Sequence, residues 1–395
     1  MLVIGAGLGG IRTVEQLRQT GYNGRISLVG AEEHPPYDRP PLSKQLLAGA
    51  WEPERIALKD AAALADLGVQ TCFGLTAAAL RPGEVEFADG SVLAADAIVL
   101  ATGVKARRLP GQPHSVHTLR TLDDALALRA ALEQASTLLV VGAGFIGAEV
   151  ASTAVGKGIA VTVVEAAPVP LVRGLGQEVG AMAARLLREG GADLRTGLAI
   201  TSFADVPEGV AVELADGSRI EAAVAVVGIG GQPDLGWLSD TGLDLADGVQ
   251  CDSQGRVAGL DGVWAVGDMA AWADPVLGGH HRHEHWTSTT DQAAIVARAI
   301  TGSEPPPPTV PYFWSDQFGL KIQLIGRPDV ADAVVPLRGD GLAGGPIKGT
   351  VAGYLRAGTL TAVAGFGAAR YVARMRTPLM AGIEHQAALQ YVATL

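Results

Sequence analysis

Apolar runs and glycine turns alternate along this chain in an order that occurs twice. The run "LVIG" (2–5) reads as a short buried strand, followed by the turn "GAGLGG" and the helical "IRTVEQLRQTG". The strand "RISLVG" comes next, with an acid, Glu32, just past its end. "LLVVGAGFIG" (138–147), "AEVASTAVGKG" and "AVTVVE" repeat that order and close on Glu165. A strand, glycine turn, helix and second strand begin a parallel sheet covered by helices.

A second piece is also repeated. "VEFADGSVLAADAIVLATG" and "VAVELADGSRIEAAVAVVGIG" each place an Asp-Gly turn between alternating strands. Each then ends in an apolar strand that closes on a glycine, at Ala101-Thr102-Gly103 and at Gly230. The chain returns through "GVWAVGDMA" and the helical "STTDQAAIVARAITG" before "SEPPPP", where four prolines break regular structure. Short strands and turns follow ("KIQLIGR", "VAGYLRAGTLTAVAGF"), then two helical pieces. The expected fold is α/β, with two Rossmann-like dinucleotide-binding domains and a C-terminal α+β domain. The segments are 1–108 and 229–307 for the first domain, 109–228 for the second, and 308–395 for the third.

Gly5, Gly7 and Gly10 form G-x-G-x-x-G between a strand and a helix, and Gly142, Gly144 and Gly147 repeat it. Glycine there permits a tight turn, close approach of a pyrophosphate, and helix–strand packing, while the helix N-terminus offers free N–H groups. Glu165 is placed to accept the ribose hydroxyls of a dinucleotide and would repel a 2′-phosphate, which favours NADH over NADPH. Arg173 downstream could soften that preference, or pack on adenine, or face solvent. Glu32 has a looser spacing, and Glu33 is an alternative ribose ligand. Two such turns imply two dinucleotides, FAD and NAD(H), with hydride passing from nicotinamide to flavin.

Length and composition narrow the class. The 395 residues suit two or three domains, and 48% hydrophobic content supports sizeable cores. No apolar run reaches membrane-spanning length, and the first strand begins directly after Met1, where a basic leader would sit; a cytoplasmic protein is expected. Cys72 and Cys251 form no CxxC pair, so no disulphide framework or redox dithiol is suggested. A net charge of −11 argues against a general nucleic-acid binder.

Four stretches carry a more specific resemblance: "PYDRPPLSK" (36–44), "VWAVGD" (263–268), "EHWTST" (284–289) and "YFWSDQFGLKIQLIG" (312–326). With the two glycine turns, they resemble the FAD-dependent, NADH-using ferredoxin reductases of the putidaredoxin-reductase and rhodocoxin-reductase type, over almost the whole chain. The lead-in to Gly5 is shorter than that family's, and Gly9 stands where the family often has alanine. The resemblance implies electron transfer from NADH through FAD to a [2Fe–2S] ferredoxin that serves a monooxygenase or ring-hydroxylating dioxygenase. Rival readings on the same fold are a rubredoxin reductase, an NADH oxidase or peroxidase, and an NADH-sensing flavoprotein. A peroxidase needs a redox cysteine facing the flavin, and none lies near Lys44 in the sequence.

The prolines of "RPPLSK" stiffen a loop that carries Arg39 and Lys44. The resemblance implies Arg39 near FAD and Lys44 beside the flavin ring; the alternative for Lys44 is a solvated loop lysine. Asp268, beside Gly267 after an apolar strand, needs polar partners, and the resemblance supplies the ribityl chain of FAD. Trp286 is implied to lie by the isoalloxazine and shape the nicotinamide pocket, the alternative being a core tryptophan. Trp314 would buttress the same region. Glu149 reads either as a helix-start acid or, by resemblance, as a contact for the nicotinamide carboxamide that can pair with Lys44. "GGHHRHEHW" gathers His280, His281, His283 and His285; without HExxH or a nearby cysteine it reads as a polar loop rather than a metal site. Because ferredoxins are usually acidic, Arg282, Arg327, Arg338 and Lys348 are candidates for a local basic docking patch.

Overall fold

A computed structural model describes all 395 residues, which divide into two compact units. The first comprises Met1–Asp38, Glu54–Lys105 and Gly231–Thr309; the second comprises Arg39–Pro53, Ala106–Gly230 and Val310–Leu395. The unbroken 1–108 segment expected from the sequence is therefore interrupted. Arg39–Pro53, the proline-stiffened loop, leaves the first unit for the second.

In the first unit a five-stranded sheet runs in the order Val263–Ala265, Ile98–Leu100, Leu2–Ile4, Ile26–Val29, Val69–Cys72. All its pairings are parallel. Its central strands are apolar at every position because both faces are covered: Leu2, Val3, Ile4, Ile98, Val99 and Leu100 are all buried. Ile11, Val14 and Leu17 recur at helical spacing on Leu8–Gln19 and are fully buried on that sheet's core. The helix Trp286–Thr301 packs beside Leu8–Gln19 and ends at Gly302 in the left-handed region.

The second unit repeats the device. Asp193–Thr196, Ala160–Glu165, Thr137–Val141, Val224–Val227 and His117–Thr118 form a parallel sheet in that order. The duplication extends to the helix ends. Leu8–Gln19 stops with Gly21 N–H on the Arg18 carbonyl and Tyr22 N–H on the Leu17 carbonyl. Phe145–Gly156 stops with Gly158 on Val155 and Ile159 on Ala154. Both are six-residue closures around a glycine of positive φ. The Asp-Gly hairpins match as well: Asp89 accepts from the amide and hydroxyl of Ser91, and Asp216 from those of Ser218.

The C-terminal part of this unit is an antiparallel sheet ordered Tyr312–Gln317, Leu320–Gly326, Thr359–Phe366, Thr350–Arg356, Ala333–Arg338. It shares a core with the helix Val172–Glu189: Leu175, Val179, Met182 and Leu186 pack with Ile322, Tyr354 and Phe366. Three short helices follow instead of two, because Ala369–Arg374 and Arg376–Met380 separate at Met375. Pro378 has no N–H for the Arg374 carbonyl, which accepts from the Tyr391 hydroxyl at 3.4 Å.

Tyr354 is 2% exposed and donates its hydroxyl to the Leu175 carbonyl at 2.8 Å, tying the C-terminal sheet to the kinked start of Val172–Glu189. Burial pushes the phenol well above its ordinary pKa, so it stays a donor at any physiological pH. Tyr354→Phe should lower the unfolding free energy by about 1 kcal/mol, measured by chemical denaturation. An unchanged midpoint would mean that this bond contributes nothing to the junction.

Candidate functional site

The two glycine turns have the same architecture. At Gly10 a Cβ would lie 1.9 Å from the Gly5 carbonyl oxygen, and at Gly147 one would lie 2.0 Å from that of Gly142. No backbone can yield that much, so these glycines are required by helix–strand packing alone. Gly144 differs. Its φ of −71° suits any residue, and a Cβ there would meet only the Gly228 carbonyl, at 3.8 Å. Gly7, with φ −76°, occupies the corresponding place. Neither turn has a side-chain cap, so the first N–H groups of both helices stay open to an anion. These cradles fit a dinucleotide's pyrophosphate in each unit.

The two candidate ribose acids differ in their settings. Glu165 accepts from the Ala143 amide at 2.6 Å and the Ala167 amide at 2.8 Å, so one carboxylate braces the turn and the loop after its strand. Each oxygen keeps a lone pair for a ribose hydroxyl. Glu32 is half-buried and accepts from Tyr37 Oη at 2.5 Å, whereas Glu33 is exposed. Ala101 is buried, its amide on the Ile4 carbonyl; Thr102 touches Met269 Sδ, and Gly103 and Gly230 both have positive φ. Buried Gln292, which the sequence did not single out, accepts from the Gly267 amide at 2.8 Å and fixes the turn that carries half-buried Asp268.

Trp286 opens the helix Trp286–Thr301, half-buried. Its indole N–H donates to Asp38 Oδ1 at 2.9 Å, and the Arg12 guanidinium lies 5.6 Å from its ring centroid. Arg12 is held by Glu15 at 2.6 Å, which also pairs with Lys59 at 2.8 Å. The sequence points to Trp286 but not to Asp38, its partner across 248 positions.

In the second unit Glu149 is 3% exposed, and its carboxylate collects three side-chain donors. Oε2 accepts from Lys44 Nζ at 2.9 Å and from Ser43 Oγ; Oε1 accepts from Ser315 Oγ at 2.6 Å. Gln317 Nε2 donates to Ser315 Oγ at 3.0 Å. The pairing with Lys44 shows that Glu149 is more than a helix-start acid. Ser43 and Ser315 were missed, although Ser43 is adjacent to Lys44 and Ser315 to Trp314. Trp314 stacks on Tyr312, and Arg39 donates to the Arg120 carbonyl.

Two expectations change. Arg282 is no open docking charge: it pairs with Asp247 at 3.0 Å and Glu284 at 2.5 Å, and donates to the Asp268 carbonyl. Arg327 is bound to Asp329, whereas Arg338, 4.5 Å over Tyr371, and Lys348 are both exposed. The stretch expected as a polar loop contains the strand His280–Arg282, and His285 takes the N-cap position of the next helix.

Residues 1–293 match the family model described as pyridine nucleotide-disulphide oxidoreductase. The chain belongs to this family. Residues 312–391 match a second model, described as reductase C-terminal. The chain is 38% identical over 351 residues to the biphenyl dioxygenase system ferredoxin–NAD(+) reductase component of Paraburkholderia xenovorans (strain LB400), covering 87% of this chain and 85% of that protein. It is 39% identical over 329 residues to the benzene 1,2-dioxygenase system ferredoxin–NAD(+) reductase subunit of Pseudomonas putida, covering 82% of this chain and 80% of that protein. The structure also superposes on putidaredoxin reductase from its covalent complex with putidaredoxin, with a TM-score of 0.93 and 29% identity, over 100% of this chain and 97% of that one.

Unlike the disulphide that gives the pyridine nucleotide-disulphide oxidoreductases their name, the two cysteines here stand apart. Cys251 is fully buried, and burial followed by the Asp252 charge pushes its thiol up to about 12. A raised pKa suppresses the thiolate, the form that acts as nucleophile or redox centre. No helix is long and apolar enough to cross a membrane.

Gly144→Ala should leave the thermal midpoint unchanged and weaken NADH binding by at least about tenfold, roughly 1.4 kcal/mol, by titration. Gly147→Ala should lower both. Equal loss of stability in the two variants would refute the assignment of Gly144 to a ligand.

Burial, and then the charge of His283, push the His285 imidazole below its ordinary value, against an opposite pull from Asp268. The unfolded chain takes up that proton near pH ~6.5, so the stabilisation is complete above that value and is lost as pH falls through the folded pKa. His117, also lowered by burial, acts in the same direction. The thermal midpoint should fall between about pH 7 and 5, and His285→Gln should flatten the decline; parallel curves for variant and wild type would exclude His285 as a source.

Proposed function

We propose that the chain is an FAD-dependent NADH:ferredoxin oxidoreductase that supplies electrons, through a [2Fe–2S] ferredoxin, to a monooxygenase or ring-hydroxylating dioxygenase in the cytoplasm. One observation carries the reading: two open dinucleotide cradles in a chain without a redox dithiol. Electrons taken from NADH have no thiol relay on which to rest, so they leave to a separate carrier.

When bound, the two cofactors supply hydride transfer from nicotinamide to flavin and single-electron release to the iron–sulfur partner. Gly5, Gly7 and Gly10, with Glu32, Ala101, Thr102, Gly103, Gly267 and Asp268, would hold FAD. Gly142, Gly144, Gly147, Glu165 and Gly230 would hold NADH, with Glu165 selecting it over NADPH by charge. Lys44 presents a positive charge whose direction Glu149 and Ser43 fix, and Trp286, held by Asp38, offers a flat apolar face to a ring. Hydride transfer between stacked rings needs no residue to act as a strong base.

Purified protein should be yellow, and NADH should drive cytochrome c reduction that depends on an added [2Fe–2S] protein. Lys44→Met should keep the flavin and lower the rate of its reduction by about tenfold or more, a loss of roughly 1.4 kcal/mol in the barrier. Equal rates with and without every ferredoxin or rubredoxin, together with fast oxygen uptake, would overturn the proposal in favour of an oxidase. Dependence on rubredoxin alone would correct the partner.

A further inference from the structure

We infer that Ser315 is a positioning residue for the Lys44–Glu149 pair, so that the C-terminal domain enters the reaction through one hydroxyl. The inference rests on the reading that this pair serves the reacting rings. Along the strand Tyr312–Gln317, alternate residues share a face, and Phe313, Ser315 and Gln317 form one. That face lies along one side of the helix Phe145–Gly156. Phe313 packs on Phe145 with ring centroids 4.1 Å apart, Ser315 reaches Glu149, and the Phe318 amide donates to Ser152 Oγ at 2.7 Å. Positions 145, 149 and 152 are neighbours on a helix surface. Phe318 takes a φ of +47° as it makes this last contact. Ser315 thus sits between two anchors, at 0% exposure.

Its single hydrogen has one destination. Gln317 Nε2 donates into Ser315 Oγ, which turns the hydroxyl hydrogen toward Glu149 Oε1. Oε1 is thereby occupied, and Oε2 is left to Lys44 and Ser43. Without Ser315, Oε1 would be buried without that donor, a state that carries a desolvation penalty. The carboxylate recovers a partner by turning both oxygens onto Lys44, which draws more negative charge against the ammonium. The lysine then exerts a weaker positive field, and a flavin in that field becomes harder to reduce.

The test uses the full-length holoprotein. In Ser315→Ala the midpoint potential of the bound FAD should shift to more negative values and its visible absorption envelope should change. The kcat for NADH-driven flavin reduction should fall roughly three- to tenfold, the worth of one hydrogen bond, while the KM for NADH stays within about twofold. Ser315→Thr, which restores the hydroxyl, should recover wild-type potential and rate. If Ser315→Ala does not fold, Gln317→Met, which removes only the group that aims the hydroxyl, should show a smaller shift in the same direction. A wild-type potential and spectrum in whichever of Ser315→Ala or Gln317→Met folds, with wild-type protein active, overturns this inference alone. A wild-type protein that holds no NADH-reducible flavin overturns the functional reading along with it.

Discussion

Each dinucleotide cradle depends on a contact closer than any side chain permits. The helix Leu8–Gln19 meets its strand with Gly10 against the Gly5 carbonyl, and Phe145–Gly156 does so with Gly147 against that of Gly142. Because the backbones touch, each helix starts directly over the end of a parallel strand, and its free N–H groups converge where the next strand delivers an acid. The open helix start and its adjoining loops follow from that single closeness.

Glu149 grows from the second of these turns, and its burial sets a different constraint. A carboxylate at 3% exposure needs a counter-charge and donors, and finds Lys44, Ser43 and Ser315. Replacing such an ion pair by apolar residues is often neutral for stability, whereas removing one member alone is costly. Stability therefore does not explain why the pair is present. In the proposed function such a pair supplies charge rather than acid–base chemistry.

What the sequence reveals and what it hides divide along a physical line. Gly5, Gly7, Gly10, Gly142, Gly144, Gly147 and Glu165 are legible because strand, turn and helix are contiguous and each residue answers a local demand. Lys44 and Trp286 are legible through the stretches around them. Asp38 and Ser315 are not, since each matters only through a partner 248 or 166 positions away, and sheet-face packing decides which residues meet. The docking arginines are harder to read: charge is visible in a sequence, but which carboxylates pair with Arg282 and Arg327 is decided in the fold. The passage of Arg39–Pro53 into the second unit was also hidden, although the prolines marked that loop as rigid.

The state of Cys251 has a consequence for durability. Hydrogen peroxide oxidises a cysteine through its thiolate. With its proton retained until about pH 12 and no surface open to solvent, this sulfur is withdrawn from that chemistry. The fold thereby shelters one of its two thiols from peroxide.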